Sequence, residues 1–321
     1  SAAKTRTAAK PRSAAPSAAP GAALSPTLAR RLLHLESAMQ KRIIGKDEAV
    51  ARIACVVRVR MTELDFRPGR PKGSFLLVGP TGVGKNELAL ALSEALYGTE
   101  KKLVSIDLAE LAEEWDIAKL GVTPVPGIPN QVMEGLLTSP VRALPGAIIL
   151  LRGLERAHAS FYPILQQILE RGRLEDMLGE VDFGGTIIFV TTRPRREDAT
   201  AEIGFSRTPV PPAEALQKRL ERNLPAELLD AFNEIIELPP LSTADVRRIA
   251  RYKVEAVLGR LRRTHRRVAV ADTVYETFLP EAEIRKNGVT VLHRTLEDRL
   301  FNPLARYLLA RIGGRAGRAV Q

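Results

Sequence analysis

The chain has 321 residues, 45% apolar and 26% charged, a globular composition long enough for about two domains at roughly 150 residues each. No apolar run exceeds the length of Ala147–Leu151, far short of the roughly 20 residues of a membrane helix, so no membrane span is expected. The single cysteine, Cys55, excludes a disulfide framework and a cysteine-cluster metal site; with only scattered histidines beside it, a reducing, cytoplasmic setting is expected. The net charge of +11 sits mostly at the two ends. Lys4, Arg6, Lys10 and Arg12 within 1–24, and Arg306, Arg311, Arg315 and Arg318 within 302–321, have no acid among them. The body between is nearly balanced and demands no broad nucleic-acid face.

Residues 1–24 are almost entirely Ala, Ser, Pro, Thr, Lys and Arg, with Leu24 the one large apolar side chain, too little apolar surface to offset the entropy of ordering, and read as a flexible tail or linker. A transit peptide is the competing reading, but Pro11, Pro16 and Pro20 break the helix it needs. The first residue is Ser rather than Met, consistent with a processed product or a piece of a longer protein. Order begins at Ser25-Pro26, an N-cap followed by proline, with Leu28, Leu32, Leu33 and Leu35 forming a helical stripe. A second helix is expected over 46–64, with Cys55 as a buried small residue in it. Apolar strands then alternate with helical patterns. Strands are expected at Ser74–Val78, Lys102–Ile106, Ala147–Leu151 and Thr186–Thr191; helices at Lys85–Tyr97, Asn130–Arg142 and Ser160–Arg171. That alternation predicts a three-layer α/β domain with a mostly parallel sheet. From Leu241 onward the pattern is helical, apart from a β-like stretch at Arg267–Val270.

The strongest motif follows the first strand: Gly79-Pro80-Thr81-Gly82-Val83-Gly84-Lys85-Asn86, opening a helix. Glycines there let successive backbone N–H groups turn toward phosphate oxygens, the helix N-terminus adds positive potential, and Lys85 supplies a point charge. The motif wants Ser or Thr last, to ligate Mg²⁺; Asn86 stands there instead. A nucleotide-binding loop is expected, of ATP or ADP, with no metal site assigned.

Several segments resemble the Clp unfoldase/disaggregase family of AAA+ proteins, specifically the second ATPase module of the ClpA/ClpB type. Arg42-Ile43-Ile44-Gly45-Lys46-Asp47-Glu48-Ala49-Val50 resembles R-V-I-G-Q-D-E-A-V, and Gly73 through Lys85 resembles G-S-F-L-F-L-G-P-T-G-V-G-K. Ile106-Asp107-Leu108 is similar to I-D-M, and Ile164 through Leu174 to I-L-L-Q-V-L-D-D-G-R-L. Val181-Asp182-Phe183 is similar to V-D-F, and Asn302-Pro303-Leu304-Ala305 to N-P-L-A. The likeness spans about 28–310. It implies a large α/β domain at 25–238 and a small helical lid at 239–321. It also implies that Ile43 and Ile44 lie near the adenine, and that the chain forms a ring with itself or with an active AAA+ partner.

The same resemblance exposes departures. The family's V-V-L-L-D-E-I-E-K-A-H becomes Ile148-Ile149-Leu150-Leu151-Arg152-Gly153-Leu154-Glu155-Arg156-Ala157-His158, without the metal-shell Asp or the water-polarising Glu. Glu155 is retained but is expected to point away from the terminal phosphate. T-S-N becomes Thr191-Thr192-Arg193. The position of the trans-acting arginine falls at Ala231, with Arg219 and Arg222 as nearby substitutes, and the lid arginine falls at Thr290. The aromatic pore loop is replaced by Gly121–Asn130, which is rich in proline. An arginine finger alone is worth about 10³–10⁵-fold in rate, so these losses together predict no useful turnover.

The expectation is therefore a catalytically degenerate AAA+ module binding ATP or ADP statically and acting as a scaffold or regulator with protein partners; Arg152 and Arg193 either take over the charge-neutralising role of Mg²⁺ or fill an emptied site, pairing with Asp107, Glu155 or a partner's acid. Two alternatives stand beside it: an active, atypical protein-remodelling ATPase, and a nucleic-acid-binding protein using the basic tails. The arginine-rich run Arg260, Arg262, Arg263, Arg266 and Arg267 lacks interleaved aromatics and reads as a solvated helix face. Nucleic acid and membrane are not expected partners.

Overall fold

The structure, a computed structural model, describes residues 24–124, 132–193, 212–262, 270–277 and 289–312. Residues 1–23 and 313–321 of the basic ends, most of the arginine run, the β-like stretch up to residue 269 and most of the proline-rich loop lie outside the described residues.

Helix Pro26–Leu33 opens as its sequence dictates: the Ser25 hydroxyl accepts the Leu28 amide at 3.2 Å, and Pro26 occupies the first turn. Helices Leu35–Gln40 and Asp47–Met61 follow. The strands are β1 (Gly73–Val78), β2 (Leu103–Asp107), β3 (Thr123–Pro124), β4 (Val132–Met133), β5 (Ile148–Arg152), β6 (Arg173–Asp176), β7 (Gly179–Asp182), β8 (Ile187–Thr192) and β9 (Glu234–Glu237). Five of them form one parallel sheet in the order β2-β5-β8-β1-β9. A parallel sheet needs cover on both faces, and the alternation along each strand supplies it. Leu76, Val78, Ile149, Leu151, Ile188 and Val190 face helix Phe161–Arg171 and its neighbours. Phe75, Leu77, Ile148, Leu150, Ile187 and Phe189 face the N-terminal helices and helix Lys85–Tyr97, with Phe75 stacked on Phe189 at 5.0 Å between centroids. The three-layer expectation holds.

Beyond Leu238 the described residues are helical: Thr243–Arg262, Asp272–Thr277, Val289–Leu296 and Asn302–Ile312, the last two joined through a π-helical turn at Glu297–Phe301. They enclose their own apolar cluster, in which Val246, Ala250, Val254, Leu258 and Leu292 are almost fully buried.

Three expectations need correction. The helix expected at Asn130–Arg142 forms only over Thr138–Ala143. Val132–Met133 instead pairs antiparallel with Thr123–Pro124, and the Leu136 and Leu137 amides are spent on the Lys119 and Leu120 carbonyls at 2.7 and 3.1 Å. Gly135 allows this approach, since a Cβ there would lie 2.5 Å from the Gly121 carbonyl carbon. Second, β9 and the hairpin β6–β7 carry no strand signal in the sequence yet are paired. Third, Cys55 is exposed: Ile53, Ala54 and Val57 take the buried face of their helix, and Cys55 sits one step round it.

The hairpin is pinned by a buried ion pair. Asp176, with 2% of its side chain exposed, receives Arg142 through Nη1 at 2.8 Å and Nη2 at 2.5 Å, plus the Leu178 amide at 2.9 Å and the Val122 amide at 3.2 Å. Burial alone would raise the Asp176 carboxyl; these donors outweigh it and hold the group well below the usual carboxylate range. The stabilisation is therefore complete above about pH 4, the ordinary carboxylate value, and is lost as the pH falls further. Asp176→Asn should cost about 1–3 kcal/mol, because the half-buried Arg142 loses its bidentate carboxylate and keeps only the Gly179 carbonyl. Urea denaturation at pH 7 checks this, and the gap between the two proteins should narrow at acid pH.

Candidate functional site

The carboxyl ends of β1, β5 and β8 converge on one cavity of about 300 Å³. The loop after β1 forms its floor. Gly84, at φ +102°, is the left-handed residue that lets the loop turn into helix Lys85–Tyr97, a conformation costly for any residue with a Cβ. Thr81, Gly82, Gly84, Lys85 and Asn86 all line the cavity. Gly79 supplies the base of the turn, its amide donating to the Thr192 carbonyl at 3.3 Å. Lys85 is buried and folds back, its Nζ donating to the Gly79 and Pro80 carbonyls at 2.5 and 2.7 Å. Burial, then the charge of Arg193, lower its pKa to about 8, with Glu155 pulling the other way.

Val83 and Gly84 also border a second, smaller cavity of about 50 Å³, and Ile43 and Ile44 line it with Ile249, Tyr252 and Val289. Arg42, Lys46, Glu87 and Lys253 line it too, so the slot beside the phosphate loop offers an apolar surface for a flat heterocycle with charged groups around it. Of the residues expected to contact nucleotide, all but Gly79 line one of these two cavities, which share Gly84, Glu87 and Val289.

The remaining wall was only partly foreseen. Arg152 and Gly153 from the end of β5, and Thr191, Thr192 and Arg193 from the end of β8, line the main cavity. Asp107, at the end of β2, accepts Arg156 Nη2 at 2.6 Å and Arg152 Nη2 at 3.5 Å. Glu155 does not point away, as expected, but lines the cavity. The Arg193 amide donates to its Oε2 at 3.3 Å and the Arg193 guanidinium lies 3.5 Å from its Oε1. The reason is local: β8 ends beside the short 3₁₀ turn Leu154–Arg156, so the carboxylate has a cation within reach. Gly153 takes φ +77°, ψ +59°, with its amide on the Thr191 carbonyl and hydroxyl at 3.0 and 3.1 Å.

Helix Val289–Leu296 closes the cavity from the far side, its Val289 amide donating to the Gly82 carbonyl at 3.0 Å, with Thr290 and His293 on the wall. Burial and the neighbouring Lys253 depress the His293 pKa. Sequence reasoning placed no function on His293 or Arg156; only the docking of that helix and the 3₁₀ turn reveals them. Ala231 is buried, and Arg219 pairs with Glu237 at 2.5 Å, in the same chain.

The cavity fits a phosphate chain: a backbone cradle at a helix N-terminus, one lysine and three arginines. Its lining suits Mg²⁺, a hard cation that takes oxygen ligands, poorly: guanidiniums stand at the strand ends, and its two carboxylates, Glu87 and Glu155, already face Arg42 and Arg193. Because Lys85 loses its proton near pH 8, affinity for inorganic triphosphate should fall as the pH rises from 7 to 9. A titration calorimetry series across that range checks it, and Lys85→Ala should remove both the binding and the pH dependence.

A family model described as AAA domain (Cdc48 subfamily) matches residues 70–235. The chain is 35% identical over 285 residues to the chaperone protein ClpB of Nitratidesulfovibrio vulgaris, covering 87% of this chain and 32% of that protein. It is 31% identical over 297 residues to a probable ATP-dependent Clp protease ATP-binding subunit of Chlamydia pneumoniae, covering 90% and 35%. The chain thus spans about a third of the length of the curated relatives it matches. A closed-state cryo-EM reconstruction of Hsp104 with ATPγS and FITC casein has the same fold, with a TM-score of 0.75 at 22% identity over 89% of this chain and 49% of that one. The chain belongs to the AAA domain (Cdc48 subfamily) family and is a Clp-type AAA+ module.

Proposed function

We propose that this module is catalytically degenerate: it holds ATP or ADP in the two adjoining cavities without turning it over, and serves as a scaffold or regulator in a protein-remodelling assembly. Residues 25–238 act as the large domain and 239–321 as the lid, and the module joins a ring with copies of itself or with an active AAA+ partner. The ring and the remodelling context rest on the relatives, two of which are named a chaperone and a Clp protease subunit.

The observation that carries this reading is the wall at the ends of β5 and β8. Hydrolysis needs a group that orients and polarises a water at the terminal phosphate. Arg152 is a permanent cation and accepts no proton, and Gly153 has no side chain. Gly153 also sits in the left-handed region, so a glutamate introduced there starts from a strained backbone. The cavity's acids do not supply the missing base. Glu155 accepts the Arg193 backbone amide at 3.3 Å, a bond that stays when the guanidinium moves, and Glu87 pairs with Arg42 at 2.9 Å.

What the residues do is bind and orient. The loop amides and Lys85 take the phosphates, Ile43, Ile44 and Val83 cover the base, and the Val289 amide ties the lid to Gly82. Nucleotide bridging loop and lid stabilises the closed arrangement by mass action.

Phosphate release from Mg·ATP should not exceed that of Lys85→Ala, and Gly153→Glu should not raise it. Turnover in the parent chain that Lys85→Ala abolishes would instead establish an active remodelling ATPase.

A further inference from the structure

The cavity holds more positive charge than its acids neutralise. Asp107 is shared: Arg156 takes the short contact at 2.6 Å, and Arg152 is left at 3.5 Å. The Nε of Arg152 is buried and has no hydrogen-bond partner. Arg193 is likewise loosely held, its guanidinium 3.5 Å from Glu155 and half exposed. Both guanidiniums lie on the cavity wall with Lys85, past the cradle that takes the inner phosphates. Strand register fixes Arg152 there, opposite Asp107 on one side and Thr191 on the other.

A nucleoside triphosphate needs positive charge at its terminal phosphate, and a guanidinium fork matches phosphate oxygens in a way a water-shelled ion does not. Metal-free ATP brings about four negative charges, and its Mg²⁺ complex about two; the extra cation would have to sit against Arg152 and Arg193. We propose that Arg152 and Arg193 stand in for the divalent cation, so that this site binds nucleoside triphosphate without metal. Asp107 and Glu155 are the resting counter-ions that give the guanidiniums up to the ligand. The inference rests on the reading of the cavity as a nucleotide site and adds the form in which the nucleotide is taken.

The test is a titration of the full chain with ATP carrying a ribose-linked fluorophore, in Mg²⁺ and in EDTA. Affinity in EDTA should equal or exceed that in Mg²⁺, and Arg152→Gln and Arg193→Gln should each weaken metal-free binding about tenfold, as expected for loss of a charge-assisted contact. Arg152→Asp, which places a carboxylate beside Asp107, should make binding depend on Mg²⁺. Circular dichroism confirms that each variant is folded; Arg193, being half exposed, is the change the fold tolerates best. Binding by the parent chain only when Mg²⁺ is present overturns this inference and leaves the static nucleotide site standing. Unchanged metal-free affinity in both glutamine variants also overturns it. No binding under either condition overturns both.

Discussion

Everything at the cavity depends on how three parallel strands end. Val78 of β1 pairs with Thr192 of β8, and Arg152 of β5 pairs with Thr191, so the chain leaves all three strands at one level and the phosphate loop rises beside them. A one-residue slip in any of these strands would turn Phe75, Ile149 or Phe189 from one packed layer into the other. β1 and β8 are buried along their full length and β5 as far as Leu151, so the register is held by the same apolar side chains that make the core. What stands at a strand end is therefore presented to the cavity by necessity. At the end of β5 that side chain is the guanidinium of Arg152.

That arrangement carries an electrostatic cost. Lys85, Arg152, Arg156 and Arg193 crowd one cavity, and the Lys85 ammonium, desolvated and close to Arg193, already holds its proton less firmly than usual. Two acids relieve the crowding in part, Asp107 for the pair at β5 and Glu155 for Arg193. A polyanion would relieve it further. The lid meets the same residues: its helix touches the loop through the Val289 amide, and Lys253 reaches Glu87 at 3.8 Å.

Much of this was legible from sequence because the relevant signals are local. The runs Phe75–Val78, Ile148–Leu151 and Ile187–Val190 are continuous apolar stretches of strand length, and the glycine spacing of 79–84 admits few other geometries. The elements that were missed depend on distant partners. Glu234–Glu237 is short and flanked by acid, and becomes a strand only because β1 offers it an edge. The segment 132–137 looked helical by its apolar spacing, but its amides find carbonyls at Lys119 and Leu120 first. Cys55 lies in an apolar run that a helix divides between two faces, and the run alone does not say which residue faces out. At the site, the loop and the arginine substitutions were readable position by position. The inward turn of Glu155 and the approach of His293 were not, since both follow from tertiary docking.

The central claim is that nucleotide is retained intact in a cavity whose own arginines balance its charge. Phosphorus NMR of a stoichiometric complex of the chain with ATP, prepared in EDTA and followed for hours after Mg²⁺ is added, tests this most directly. The account predicts three protein-shifted resonances that neither move appreciably on adding Mg²⁺ nor give way to ADP and free phosphate. Resonances that shift to a protein-bound position only once Mg²⁺ is present, followed by their conversion to ADP, would contradict it.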